Sequence, residues 1–214
     1  MYPNTLLIDL QFLPCIEYFT WLLPYDHVEL EIYGNYQKQT YGNRCYILSS
    51  QQIDRLTVPV IGGKKKVLYK DIQIDYQQKW PICHWRSICT AYGKAPYFEY
   101  LSGYFREILF TSYMYLFELN LALLKLCLKL LKLKKDVKLT SEYISNPATS
   151  MVDARNIIQP QVPFSQRYRY QPFYYQQVFG TVFTANLSIL DLLFCEGPNA
   201  YDIIKKSCIS SEEL

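Results

Sequence analysis

The feature of this sequence that most constrains its fold is a change of hydrophobic period near residue 80. Before that point, apolar residues occur in short runs or alternate with polar ones, as in residues 28–33, which is typical of β-strands. From Trp80 onward, apolar residues recur at helical spacing. A short helix is predicted for 15–23, and the short connections between the early runs predict antiparallel pairing. The predicted strands are 5–12, 28–33, 44–48, 55–61 and 67–74.

The second half of the chain is predicted to be mainly helical. The predicted helices cover 80–92, a segment after Pro96, about 108–133, and 187–195 with Asn186 as its N-cap. Further strands are predicted for 137–144 and for the aromatic segment 173–183. Between residues 146 and 171, prolines interrupt any regular pattern, so a long loop that wraps the body is expected.

These patterns predict a single α/β domain that spans residues 1–214. A small mixed, largely antiparallel sheet is expected to pack against helices, and an α+β arrangement is the alternative. The expected parts are a strand-rich region 1–75, a helical region 80–135, an irregular loop 146–171, and a C-terminal strand and helix over 173–208. A chain of 214 residues is long enough to bury a substantial core in one domain.

The apolar stretch 108–133 is the candidate for a membrane span. Glu118, Lys125, Lys129 and Lys132 follow one another in it at steps of seven, four and three residues, so they form one polar stripe along a helix. A lipid-spanning helix would not carry central charges without partners, so we expect a core helix with one wet face and no transmembrane segment. Its lysine-rich end could touch an acidic membrane surface, although a solvated face is the usual meaning.

Charge and composition exclude several classes of protein. The formal net charge is only +3 and the basic residues form no binding stripe, so no nucleic-acid partner is expected. The seven cysteines include no CxxC pair, which predicts neither a disulfide framework nor a metal site and favours reduced thiols in a cytoplasmic protein. The motifs GxGxxG, GxSxG and HExxH are absent. The sequence identifies no cofactor and no oligomeric state.

Residues 75–100 contain the richest group of functional candidates. Trp80, Trp85 and Tyr97 have flat faces on which a ligand ring can stack, and His84 lies among them in the sequence. His84 has two interpretations: a general base or hydrogen-bond donor to a substrate, and a structural histidine on a helix face.

Three further candidates lie outside that stretch. Asn43 and Arg44 occur where a loop enters a strand. A guanidinium group there is suited to hold an anion, and the alternative is a surface ion pair with Glu29 or Glu31. Asp191 lies inside a very apolar helix, so its carboxylate is either on the wet side or buried with a partner.

Several stretches, taken together and in order, resemble the WbqC-like protein family. They are LPCIEYF at 13–19, NYQKQTYGNRC at 35–45, LTVPV at 56–60, the segment 74–80, HW at 84–85, AY at 91–92, APYF at 95–98, LN at 119–120, NLSILDLLF at 186–194 and EG at 196–197. The resemblance extends over nearly the whole chain. It implies a cytoplasmic protein of sugar or glycoconjugate biosynthesis, and points to a transferase that modifies a sugar as one activity.

The sequence departs from the family pattern at two places. Many members carry His-Gln-Pro where this chain has Ile8, Asp9 and Leu10, which argues against a histidine-dependent role for the first strand. Gly42 stands where a basic residue is expected before Asn43, which weakens an anion clamp at that loop.

We therefore expect a transferase-like factor of surface-polysaccharide (O-antigen) or glycoconjugate biosynthesis that binds an activated sugar or an acyl donor. A non-catalytic binding or scaffold protein of the same pathway is the alternative. The expected catalytic residues are His84 and Asp191. The expected substrate-binding residues are Asn43, Arg44, Trp80, Trp85 and Tyr97, with Arg44 on an anionic group and the three aromatic residues on ring faces.

Overall fold

The computed structural model describes residues 4–50, 52–62 and 66–209. In chain order the elements are β1 (Thr5–Asp9), α1 (Ile16–Leu22), β2 (His27–Glu31), β3 (Arg44–Leu48), β4 (Ile53–Thr57), α2 (Trp80–Tyr92), α3 (Phe98–Phe110), α4 (Leu116–Leu130), β5 (Asp136–Leu139), β6 (Met151–Asp153), α5 (Ile189–Glu196) and α6 (Ala200–Lys206). They build one α/β domain, which confirms the predicted class.

Strand β1 lies inside a four-stranded sheet of order β5-β2-β1-β6, in which every neighbouring pair is parallel. Its central residues Leu6, Leu7 and Ile8 are all buried, so both faces of the strand are covered, as is usual in parallel sheets. The chain passes from β1 to β2 through α1, and all seven residues of that helix are buried. A helical crossover of this kind places two successive strands side by side and parallel.

The parallel sheet corrects the expectation of largely antiparallel pairing. That expectation rested on the short connections between the early apolar runs. The helix predicted for 15–23 is confirmed as α1, but it forms a crossover between two parallel strands. Antiparallel pairing holds for β3 and β4, a two-stranded unit in which Arg44 lies opposite Thr57. The fold therefore has two separate sheets: a four-stranded parallel sheet and a two-stranded antiparallel one.

Two predicted strands are replaced by irregular backbone. Residues 67–74 contain a short 3-10 turn at Tyr69–Asp71 and only single bridges to neighbouring segments. Residues 173–183 form no strand. At Gln177 the side-chain amide contacts the backbone of Thr184, donating to its carbonyl at 2.9 Å and accepting from its N–H at 2.8 Å. A side chain thus takes the place of a ladder partner.

The predicted helix after Pro96 is α3, and the long helix predicted over about 108–133 is the shorter helix α4. Helix α3 ends at Phe110, and α4 begins at Leu116 with Glu118 accepting a hydrogen bond from the Tyr115 N–H at 3.0 Å. This capping contact fixes the start of α4. Among the described residues, every helix is too short or too polar to cross a bilayer.

Helix α5 begins two residues later than predicted. Its N-cap is Ser188, whose hydroxyl accepts a hydrogen bond from the Leu190 N–H at 3.4 Å. Asn186, the predicted cap, instead has a positive φ of 56° and directs its side chain to Glu17 at the start of α1.

The irregular segment 154–186 is attached to the body by a buried ion pair. Arg167 donates to both carboxylate oxygens of Glu17, at 2.5 and 2.6 Å, and Asn186 donates to the same carboxylate at 2.9 Å. Glu17 is fully buried and the Arg167 side chain is 6% exposed. Because both charges lie out of water, each depends on the other for solvation.

Replacing Arg167 by Met will leave the Glu17 carboxylate buried without its counter-ion. We expect the free energy of unfolding to fall by about 3–5 kcal/mol, measured by urea denaturation. The double variant Glu17→Gln, Arg167→Met should recover part of the loss, because no unpaired charge remains. Arg86→Met, at an exposed position of α2, is the control and should change stability by less than about 0.5 kcal/mol. Equal effects of Arg167→Met and Arg86→Met would contradict a stabilising ion pair.

Candidate functional site

A small cleft, partly open to solvent, lies at the carboxyl ends of the parallel strands. It is lined by residues at or after the ends of β1, β2 and β6, and by Tyr69: Asp9, Leu10, Gln11, Glu31, Gly34, Asn35, Gln37, Thr40, Tyr41, Gly42, Tyr69, Asn156, Ile158 and Gln159. The chain leaves β1 towards β2 on one side, and β6 lies on the other side of β1. In open α/β sheets, ligands bind outside the strand ends at such a divergence.

Tyr69 lines the cleft and joins two of its lining segments by hydrogen bonds. Its hydroxyl lies 3.2 Å from the Leu10 carbonyl and 3.1 Å from the Gly42 carbonyl, and it accepts a hydrogen bond from the Asn120 amide at 2.6 Å. Asn120 also donates to the Gly42 carbonyl at 2.7 Å. Burial raises the pKa of the Tyr69 hydroxyl, so it stays neutral.

Asp9 is the carboxyl group of the cleft with a raised pKa. Burial raises the pKa of its carboxyl from 3.8 to about 6, against the opposing effects of a hydrogen bond from the Asn156 N–H and of the Arg155 charge. A carboxyl group with this pKa is ionised at neutral pH and can take up a proton without a large free-energy cost. It is therefore suited to acid–base work.

Gln11 gives the cleft an unused hydrogen-bonding group. The residue is 2% exposed, and its Oε1 atom accepts no hydrogen bond from the described residues. Leaving a buried amide oxygen without a partner costs about 1–3 kcal/mol. Gln11 Oε1 is one of eleven buried side-chain atoms of the described residues without a partner, and Gln11 is one of the cleft-lining residues. Because Gln11 lines the cleft, a ligand hydroxyl or amine bound there is a candidate partner for this oxygen.

The charges around the cleft disfavour an anionic ligand. Its two carboxyl side chains are Asp9 and Glu31, and none of its described lining residues is Lys, Arg or His. Arg155 lies nearby but is occupied, because it donates to Glu31 at 2.9 Å and to Asp153 at 2.7 Å. No group of three or more His, Cys, Asp or Glu side chains in the described part of the chain is arranged as a metal site. The cleft is suited to a neutral or amine-bearing polar group.

His84 and Trp80 contact each other on α2 but lie outside the cleft lining. The His84 ring lies 5.1 Å from the Trp80 ring and 5.9 Å from the Phe12 ring, centroid to centroid. Burial lowers the pKa of His84 to about 4, so the imidazole is neutral at physiological pH. The His84 Nδ1 and Trp80 Nε1 atoms have no partner among the described residues.

The other predicted site residues also have identifiable packing partners. Trp85 stacks on Phe98 with 6.3 Å between ring centroids. The Tyr97 ring lies against Gly197, where an added Cβ would come within 2.5 Å of it. Any larger residue at position 197 would therefore clash with the Tyr97 ring.

Asn43, Arg44 and Asp191 occupy three different environments. Asn43 follows the cleft-lining residues 34–42 and donates to the Val58 carbonyl at 2.9 Å, which joins this loop to the residue after β4. Arg44 is partly buried at the start of β3, and its Nε atom has no partner among the described residues.

Asp191 is fully buried, where its carboxylate accepts from Tyr175 at 2.5 Å and Gln177 at 2.8 Å. Burial raises its pKa despite these hydrogen bonds. None of the seven predicted site residues lines the cleft, and the roles assigned to them stay predictions.

Sequence reasoning did not identify Asp9, Gln11 or Tyr69 as site residues. One signal was present, since Asp9 interrupts the first apolar run. The signal could not be used, because only parallel pairing of β1 with β2 and β6 brings the ends of the three strands together.

A model of the WbqC-like protein family matches residues 11–161. The chain belongs to this family. The matched range contains α2 and the cleft lining from Gln11 to Gln159, whereas Asp9, Leu10 and Asp191 lie outside it. Neither a curated protein nor a solved structure matches the chain.

Replacing Asp9 by Asn will make the protein more stable at high pH and leave it unchanged at low pH. The unfolded carboxyl ionises near pH 3.8 and the folded one near pH 6. As pH rises through this interval, the unfolded state alone gains the charge, so Asp9 lowers the free energy of unfolding by up to about 3 kcal/mol above pH 6. Urea denaturation between pH 4 and 8 measures this difference, and parallel curves for the two proteins would contradict it.

Proposed function

We propose that this WbqC-like protein is a transferase-like enzyme of surface-polysaccharide or glycoconjugate biosynthesis, and that the cleft binds the acceptor sugar. Family membership supports the pathway. The assignment of the cleft rests on one observation: Asp9, with its raised pKa, and Gln11, with its unpartnered Oε1 atom, both line the cleft at the carboxyl ends of parallel strands. Seven free cysteines support a reducing compartment such as the cytoplasm.

In the proposed reaction, Asp9 is the general base. Its carboxylate takes the proton from a sugar hydroxyl, or from a neutral sugar amine, while that oxygen or nitrogen forms a bond to the acyl or glycosyl carbon of the donor. The donor's leaving group departs with the electron pair of the broken bond. Gln11 accepts a hydrogen bond from a neighbouring hydroxyl and so orients the sugar.

In this proposal, the anionic part of an activated donor binds outside the cleft, because the described lining residues include no basic side chain. Arg44 stays the predicted contact for it. Gly42 lines the cleft and Arg44 follows two residues later, with an Nε atom that is unpartnered among the described residues. A guanidinium group can hold a phosphate or carboxylate of the donor.

The alternative is a non-catalytic binding protein of the same pathway. The large exposed aromatic residues Tyr100 and Tyr174, which are 74% and 62% exposed, favour it because such side chains are common in protein interfaces. The two functions differ in what they require of Asp9, since only the enzyme needs a base.

A thermal-shift screen of neutral sugars, amino sugars, nucleotide-activated sugars and inorganic phosphate tests the cleft assignment. A sugar present at about a hundredfold its dissociation constant should stabilise the protein by about 2.7 kcal/mol, and inorganic phosphate should not bind in the cleft. Gln11→Leu should weaken sugar binding by about tenfold, because it removes the hydrogen-bond acceptor. Gln78→Ala, at an exposed position, is the matched control and should bind normally.

Transfer from an activated donor to the sugar that binds distinguishes the enzyme from the binding protein. Asp9→Asn should retain sugar binding and lose about 10²–10⁴-fold in turnover, while exposed Asp202→Asn should keep full turnover. Sugar binding that survives Gln11→Leu unchanged would place the ligand elsewhere. Turnover that survives Asp9→Asn would remove Asp9 as the base.

A further inference from the structure

A dense cluster of lysines covers the end of α4 and the start of β5. Residues 125–138 contain six lysines, and five of them are exposed: Lys125, Lys129, Lys132, Lys134 and Lys138. We call these five residues the lysine face. The sixth, Lys135, is partly buried and is used in the fold, because its ammonium group donates to the carbonyls of Leu23 and Tyr25 at 2.9 and 2.7 Å.

Most of the lysine face carries uncompensated charge. Lys138 pairs with Asp136 at 3.1 Å, and the same carboxylate also contacts His27 at 3.0 Å. Lys125, Lys129, Lys132 and Lys134 form no ion pair with any carboxylate in the described part of the chain. Asp26 and Asp136 are the acidic residues in the adjoining groove, so the local charge is strongly positive.

Apolar side chains lie between the lysines. The groove beneath Lys125 and Lys129 is lined by Leu128, Leu133 and Val137, and it is shallow and open to solvent. The neighbouring groove on the other side of residues 132–135 is lined by Pro198 and by Tyr201, which is 37% exposed. A basic surface with interspersed apolar and aromatic groups matches the chemistry of a bilayer interface.

We infer that the lysine face docks the protein on an anionic phospholipid surface. The face contains lysines and no arginine, and lysine acts as a point charge that suits diffuse attraction to many headgroups. Nucleic acids and phosphorylated peptides are usually held by arginine forks, often with aromatic residues between them. Each lysine near such a membrane surface raises the binding constant by about fivefold, so four unpaired lysines contribute on the order of several hundredfold.

Co-sedimentation of the full chain with phospholipid vesicles tests this inference. We expect binding to vesicles that contain about a third phosphatidylglycerol, little binding to pure phosphatidylcholine, and loss of binding at about 0.5 M salt. The variant Lys125→Glu, Lys129→Glu should bind the anionic vesicles at least about tenfold more weakly. Both positions are exposed on a helix, so glutamate fits there without loss of the fold.

A charge-matched variant separates the lysine face from overall charge. Lys79→Glu, Lys94→Glu makes the same change of net charge at exposed positions beside α2 and should keep most of the binding. The inference is overturned if the parent protein does not prefer anionic vesicles, or if the two double variants weaken binding equally. It is also overturned if the face binds duplex DNA and not vesicles. Sugar binding in the cleft should be unchanged in both variants, since this docking does not depend on the proposed function.

Discussion

The buried ion pair between Glu17 and Arg167 is the interaction on which the placement of the irregular segment 154–186, and of the cleft wall that it provides, depends. It joins the first helix to a long segment that has little secondary structure of its own. The Nη1 atom of Arg167, which does not contact Glu17, donates to the carbonyls of Val162 and Gln159, at 2.6 and 3.4 Å. Because Gln159 lines the cleft, the pair that holds the segment also places one wall of the proposed site. A buried pair is a weak source of net stability, but it fixes one arrangement of the chain.

A second set of charges controls the electrostatics of the cleft. Arg155 is bound by Glu31, Asp153 and the Ile144 carbonyl, and it stacks on Tyr143 at 4.7 Å. Glu31 is in turn satisfied by Thr140 and by the Tyr33 N–H. With these partners engaged with one another, Asp9 is the carboxyl group of the cleft whose protonation is set mainly by burial. Its raised pKa and its cost in stability have the same physical cause, which is typical of groups kept for function.

The fold class and several local elements could be predicted from the sequence, because they depend on short-range pattern. Helix α2 covers the predicted residues 80–92, and β3 covers 44–48. The helix α1 was also predicted, but the parallel pairing was not, because the sequence does not show that this fully buried helix crosses over between two neighbouring strands. The cleft was missed for the same reason, because its lining residues converge only in that sheet. Residues 75–100 attracted attention through their aromatic residues and His84, but Trp, Tyr and His side chains also build cores, and here they pack against one another.

The most direct test of the cleft as the ligand site is an NMR titration of the ¹⁵N-labelled protein with a sugar that stabilises it. The side-chain amide of Gln11 reports on the cleft, and the indole N–H groups of Trp80 and Trp85 report on α2. We expect the Gln11 amide resonances to shift and saturate with the sugar while both indole resonances stay in place. Saturable shifts of the indoles with an unchanged Gln11 amide would contradict the cleft assignment and would place the ligand on α2, beside His84.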